Sequence, residues 1–414
     1  MRQMKDSGIE WIGKIPENWN KLKIKYISSI SSGEYISKEE YENNGLYPII
    51  GANGEIGRTN KSNNQELVVT TGRVGTIGTA HKIKEAWITD NVLIIGQIKV
   101  NVDFFRYSIL NLDFQQMTSG TAIPLITATK IINQFIPNPS IEEQHLISAY
   151  LDRQCTLIDS VIEKTKASIE EYKKLRQAVI TQAVTKGVRG DRAMKDSGIE
   201  WIGEIPEEWE TSKIRYIGTL QNGISKGGDF FGEGFPFVSY GDVYKNFELP
   251  KYVAGLVRTS DKERQIYSVE KGDIFFTRTS ETIEEVGFSA VCTRTIDNAT
   301  FAGFVIRLRP YKVDGIICTV FAKYYFRGEQ IRKYLVKEMN LVTRASLGQG
   351  LLNAMSVLIP PIAEQQEIAA YLDQKCVEID SLITKKEQFL TELDSYKKSI
   401  IYEYVTGKKE VPQA

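Results

Sequence analysis

The sequence predicts a mixed α/β (α+β) protein in which two globular modules are separated by a pair of long antiparallel coiled-coil helices, with an internal pseudo two-fold. Three observations predict it. A segment reading MKDSGIEWIGKIPENW from Met4 returns from Met194 as MKDSGIEWIGEIPEEW, with only Lys14/Glu204 and Asn18/Glu208 differing. Each copy closes on a stretch of about 40 residues with apolar spacing of three and four, the seam of a coiled coil. Between the two, each copy has a middle of short β-rich runs broken by glycine turns. Two units of such length are a tandem duplication, not a solenoid.

A second matched block fixes the boundaries. PNPSIEEQHLISAYLDRQCTLIDSVI, from Pro137, answers the stretch from Leu358 that contains PPIAEQQEIAAYLDQKCVEIDSLI. The first block repeats at an offset of 190 and the second at 221, so the second middle is longer by the difference, 31 residues. The expected layout is a first module with its opening segment over 1–138 and a first helix over 139–187. Linker, opening segment and second module follow over 188–359, then a second helix and tail over 360–414.

Each element has a local cause. Ser140 before Glu142 and Glu143 is a helix start, and Pro360-Pro361 with Glu364 is another. The first seam is Ile158, Val161, Ile162, Ile169, Tyr172, Leu175 and Val179; the second is Ile379, Leu382, Ile383, Phe389, Leu390, Leu393, Tyr396 and Ile400. Thr165 and Lys386 interrupt the seams at one equivalent position, a candidate for setting register or partner choice. Gly187 and Gly407 end the helices, and GVRGDRA at 187–193 is the inter-unit linker. A helix of about 40 residues spans roughly 60 Å. It either packs against its twin or serves as a spacer with a flank for partner helices, and the two are compatible. In the middles, the stretches from Glu66 and Asp273 read as strands, and those after Val102 and Val320 as helices.

Composition excludes several classes. Lys plus Arg and Asp plus Glu both number 52, so a uniformly basic nucleic-acid sleeve is out. Four cysteines without a CxxC pair exclude a disulfide scaffold and a cysteine zinc site; two histidines, His81 and His145, make histidine metal centres and histidine catalysis unexpected. No apolar run reaches bilayer length and the N-terminus lacks a signal-peptide stretch, so a cytoplasmic location is expected. No GxxxxGK[ST], nucleophile elbow or HExxH occurs. Gly51, Gly54 and Gly57 read as a surface turn set, Cys155 and Cys376 as packing residues at matching helix positions, and His145 as solvated. On residues alone this is a binding or scaffolding chain.

Local charge permits nucleic acid. Residues 20–138 hold 12 basic and 10 acidic side chains, and residues 210–359 hold 20 and 16. The middles are mildly basic on an acidic framework. In both, a strand runs into a loop with one arginine among hydroxyls: Thr70-Thr71-Gly72-Arg73 and Phe276-Thr277-Arg278-Thr279-Ser280. Such loops suit base-edge and phosphate hydrogen bonds, and equally a solvated turn.

With two unlike middles, the paired helix starts EEQHLISAYLDRQCTLID and EQQEIAAYLDQKCVEID, and the doubled GIEWIGxIPExW, the chain resembles the specificity subunit of a type I restriction–modification enzyme. The resemblance covers essentially the whole length. It implies two target-recognition domains, each reading half of a split, asymmetric DNA sequence, on a helical spacer that fixes the gap. It implies two methyltransferase (modification) subunits, carrying S-adenosylmethionine and methylating adenine, and a translocating restriction subunit. It implies no catalytic residue, cofactor or metal on this chain, and no membrane. The expected DNA-reading residues are Arg58, Thr71, Arg73, Lys82, Ser119 and Thr121 in the first module. In the second they are Lys226, Tyr240, Lys245, Thr277, Arg278, Ser280, Arg344 and Ser346. The competing reading is a coiled-coil protein scaffold with two adaptor modules and no nucleic acid.

Overall fold

Both apolar repeats become single helices, α1 (Ile141–Lys186) and α2 (Ile362–Val405), in a computed structural model that describes residues 2–118, 125–280, 286–338 and 345–412. Ser140 starts α1 with a capping box: its Oγ accepts from the Glu143 N–H at 3.2 Å, and the Glu143 carboxylate accepts from the Ser140 N–H at 3.4 Å. Gly187 (φ +76°) and Gly407 (φ +71°) follow the helix ends in the left-handed region that a Cβ disfavours.

The chain divides into two compact units that cut across the repeat: Met1–Lys166 with Glu387–Ala414, and Ala167–Lys386. Each unit holds one module, the beginning of that module's own helix and the end of the other helix.

In the first unit a four-stranded antiparallel sheet has the order β1 (Ser29–Ser32), β4 (Val92–Gly96), β2 (Val68–Gly72), β3 (His81–Ile83). A smaller sheet joins Gly54–Thr59, Tyr47–Gly51 and Trp87–Ile88, the last pair parallel; the glycines at 51 and 54 flank its hairpin turn. The module's core gathers Val69, Leu93, Ile95, Phe105, Ile109, Ile126 and Ile131. A separate cluster joins Ile12, Ile15 and Trp19 of the opening segment to Ile147, Leu151 and Ile158 of α1 and to Ile400, Ile401, Tyr404 and Val405 of α2. The helices run antiparallel here. Tyr150 and Tyr404 have ring centroids 4.5 Å apart, and Lys397 meets the Asp159 carboxylate at 2.7 Å.

The second unit repeats the plan. Its sheet has the order β5 (Gly218–Asn222), β8 (Val305–Pro310), β6 (Ile274–Thr277), β7 (Ser289–Val291), beside Gly255–Val257, Phe231–Val238 and Thr300–Phe301, again with the last pair parallel. Ile202, Ile205 and Trp209 pack with Ile368, Leu372 and Cys376 of α2 and Ile180, Ala183 and Val184 of α1. Arg176 Nε lies 3.1 Å from Asp380 Oδ1, so the helices are antiparallel here too. Much of the longer middle lies between β5 and β6, where helices Tyr240–Lys245 and Asp261–Ile266 sit.

The shared motifs are clamps between module and helix. Trp19 and Trp209 donate their indole N–H groups to Glu143 and Glu364, each at 3.0 Å. Arg2 and Arg192 close on the same carboxylates at 2.7 and 2.6 Å. Buried Gln144 and Gln365 donate to the Pro139 and Pro360 carbonyls and accept from the N–H groups of Asn101 and Cys318. Tyr107 and Tyr324 each donate to an aspartate of the YLD triplet, Asp152 and Asp373, at 2.7 Å. Desolvation and that bond push both phenols above the ordinary range.

The seam is narrower than its spacing predicts. Val161 and Leu382 are each 40% exposed, and the equivalent pair Leu175 and Tyr396, with Phe389, also face outward. The outward residues recur at intervals of seven or fourteen, Val161 and Leu175 on one helix and Leu382, Phe389 and Tyr396 on the other, so a single heptad position flanks the seam instead of lying in it. Thr165 is buried and bonds the Val161 carbonyl of its own helix, and the Lys386 ammonium lies 5.6 Å from the Tyr172 ring centroid.

Candidate nucleic-acid interface

The two loop arginines occupy one backbone constellation, built twice. β2 and β6 are central strands, and each delivers its arginine one residue past its end. The Arg73 N–H donates to the Asn91 carbonyl and its own carbonyl accepts from Ile126, at 2.8 and 3.0 Å. The Arg278 N–H donates to Phe304 and its carbonyl accepts from Leu347, at 2.8 and 2.7 Å. Three chain segments therefore meet at each arginine: its own loop, the turn before β4 or β8, and the late loop leading to the helix. Bridges Val74–Leu125, Thr279–Ser346 and Ser280–Ala345 zip the late loop to the arginine loop. Gly33 and Gly223 allow the close approach beneath, since a Cβ at either would lie 2.2–2.3 Å from facing carbonyl oxygens.

The arginine side chains are tied differently. Arg73 Nη1 reaches the Ser32 hydroxyl at 3.3 Å, at the end of β1. The equivalent Asn222 is instead held by Gln349 at 2.9 Å, and Arg278 Nη1 turns to the Gly303 carbonyl at 3.4 Å.

The other expected readers fall into distinct places. Thr71 and Thr277 are buried within their strands, at 1% and 0% exposure, and lie beneath the surface; Thr277 Oγ1 accepts from the Phe288 N–H. Ser346 is exposed with its hydroxyl 3.4 Å from that of Thr279, while Ser280 pairs through its backbone. Ser119, Thr121 and Arg344 lie outside the described residues. Arg58 stands on the smaller sheet with its guanidinium on the Gly45 and Leu46 carbonyls and Glu55, bracing a loop. Lys82 pairs with Asp103 at 2.7 Å. Lys226 pairs with Glu263 at 2.6 Å and, with Ser260, holds that carboxyl down at about 2. Tyr240 stacks on Tyr244, and Lys245 is exposed at the end of the same helix. The structure thus gathers Arg73 with its late loop, and Thr277, Arg278, Ser280 and Ser346 with theirs. Arg58, Lys82 and Tyr240 make their described contacts with other residues, and Lys226, paired with Glu263, follows Ile224 and Ser225, which lie against the Gly303 that holds Arg278. Sequence reading missed Ser32, Asn91, Gly303 and Phe304, which only strand order brings to the arginines.

Among the described residues no cluster of His, Cys, Asp or Glu is placed to hold a metal ion, and no helix is long and apolar enough to cross a membrane. All four cysteines are buried and reduced. The buried Asp273 is consumed by Arg309, at 2.6 and 2.7 Å; burial raises its carboxyl above the usual range despite that arginine.

Two sheets of one design, each carrying the same arginine constellation at the end of a central strand, define a duplicated chain. The family described as type I restriction modification DNA specificity domain matches residues 16–171 and again 206–392. The chain belongs to that family, with two such domains, as a type I restriction–modification specificity subunit. It is 23% identical to the MjaVIII specificity subunit of Methanocaldococcus jannaschii, over 96% of this chain and 94% of that one. With the EcoKI specificity subunit of Escherichia coli K12 it shares 22% identity over 96% and 90%. A solved chain from a study of complex assembly and conformational transition of the type I R-M system superposes with a TM-score of 0.70. It is 15% identical, and the match covers 95% of this chain and 99% of that one.

Proposed function

We propose that this chain is the non-catalytic DNA-reading subunit of a type I restriction–modification complex. Each module reads one half of a bipartite, asymmetric target, and the two helices fix the gap and seat two methyltransferase subunits and the restriction subunits. The observation that carries the reading is the doubled arginine constellation, one backbone design bearing unlike side chains. Two related frames can dock two identical partners while unlike loops read unlike half-sites, so the target need not be palindromic. Arginine with hydroxyls on a rigid three-segment support suits base-edge readout. Arg73, Arg278 and Ser346 stand foremost as readers, with Ser119, Thr121 and Arg344 as neighbours in the late loops by sequence. Chemistry would reside on the partners, with S-adenosylmethionine on the methyltransferase. Complex assembly in the solved relative's system supports the partner part of this reading.

Mapping methylated adenines in cells with and without this chain tests it. The expected result is a split sequence methylated only when the chain is present. Identical methylation in its absence, together with equal binding of the purified complex to all duplexes, favours the scaffold reading.

A further inference from the structure

The turn bonded to each loop arginine offers a recognition position that the sequence does not single out. In the first module it is Asn91, exposed between Trp87–Ile88 and β4. In the second it is Phe304, 60% exposed between Thr300–Phe301 and β8. Their equivalence rests on geometry. Each offers its carbonyl to the arginine N–H at 2.8 Å, and each precedes the strand that runs antiparallel to the arginine's own. The following strand is anchored alike: Val92 N–H donates to Thr89 at 3.0 Å and Val305 N–H to Ala302 at 2.9 Å. The matching backbone bonds put Asn91 and Phe304 at equivalent backbone positions relative to their arginines, where the residue type is the difference that the sequence supplies.

An amide offers a donor and an acceptor, the pattern that matches adenine's edge in the major groove. A phenyl ring offers neither and matches the thymine 5-methyl. The arginines follow suit. The Arg73 side chain reaches Ser32, whereas Arg278 is held by the carbonyl of Gly303, the residue before Phe304. Phe304 belongs to neither of its module's apolar clusters.

Resting on the DNA-reading function above, we propose that Asn91 and Phe304 are equivalent specificity-determining positions: Asn91 reads a base edge by hydrogen bonds, and Phe304 reads a thymine methyl in the other half-site. The test is the adenine-methylation map of cells carrying the full chain, as wild type, Phe304→Ala, Phe304→Asn and Asn91→Ala, with purified complexes compared on thymine and uracil duplexes. Phe304→Ala is expected to relax one base in one half-site and leave the other half unchanged. Wild type should prefer thymine over uracil there by about fourfold, the worth of one buried methyl, and Phe304→Ala should show no preference. Asn91→Ala should relax the opposite half, and Phe304→Asn should favour a different base at the position Phe304→Ala relaxes. An unchanged methylated sequence in Phe304→Ala with wild-type thymine preference overturns this inference alone. Absence of any split sequence dependent on the wild-type chain overturns the DNA-reading function and this inference with it.

Discussion

Arg278 shows what one side chain is asked to do. Its main chain is fixed from both sides by Phe304 and Leu347, so its Cα is held in place and its side chain, tied to the Gly303 carbonyl, leaves from a defined point. Arg278→Ala is expected to weaken binding to the cognate half-site by about 1–3 kcal/mol and to relax one base there, with subunit assembly intact. Equilibrium binding over a panel of duplexes checks this: a loss equal on every sequence makes the arginine a phosphate contact instead. Cys292 makes a different residue-level case. Its buried Sγ donates to the Arg294 carbonyl at 2.8 Å, and burial pushes the thiol up to about 12. The unfolded thiol ionises from about pH 8.5 while the folded one stays protonated. Its contribution is therefore fully present below pH 8.5 and is lost as pH rises towards 12, by up to about 1.4 kcal/mol per pH unit. Urea unfolding between pH 9 and 10.5 should fall less steeply for Cys292→Ala than for wild type. Parallel slopes would show that the thiol already ionises in the fold.

The helices are elements whose ends matter more than their middles. In the first turn of α2, Glu364 is 2% exposed and takes both the Trp209 indole and Arg192. Glu143 does the same for Trp19 and Arg2 at the start of α1, but its side chain is 22% exposed. Removing a fully buried carboxylate strands its partners, whereas at a partly exposed one water can take the vacated place. Glu364→Ala should destabilise the second unit by about 3 kcal/mol and Glu143→Ala the first by about 1 kcal/mol. Thermal unfolding of the two variants compares them, and equal losses would refute the burial argument. The helix starts were legible because capping and clamp residues are local and occur twice. The seam was only half legible, as Val161 and Leu175 show. A spacing of three and four says which residues are apolar, while the packing of the helices decides which heptad positions meet a partner and which flank the seam.

At the scale of the whole molecule, one compact unit takes segments from opposite ends of the chain, Met1–Lys166 and Glu387–Ala414, while the other is the continuous stretch between them. Ile400, Ile401, Tyr404 and Val405 complete a core that begins at Ile12, nearly the full sequence away. Deleting Glu387–Ala414 should therefore unfold the N-terminal unit, which loses four buried apolar side chains worth roughly 1.5–3 kcal/mol each. The unit formed by Ala167–Lys386 contains none of the deleted residues and should keep its protection. Hydrogen exchange distinguishes them: early exchange in β2 and β4 with slow exchange in β6 and β8 is expected, and uniform exchange would contradict the division.

The sequence by itself determined the duplication, the two helices with their starts and stops, the mixed α/β character of each middle and, through the doubled motifs, the family. All of these rest on residues near one another in the chain or on identity between its halves. Only the tertiary structure decided that Thr71 and Thr277 are buried, that Arg58 braces a loop, and that Asn91 and Phe304 stand beside the arginines. Strand alternation does not say which face or which neighbour a residue meets. That follows from strand order, β1-β4-β2-β3 and β5-β8-β6-β7, which places side by side segments that lie far apart in the sequence.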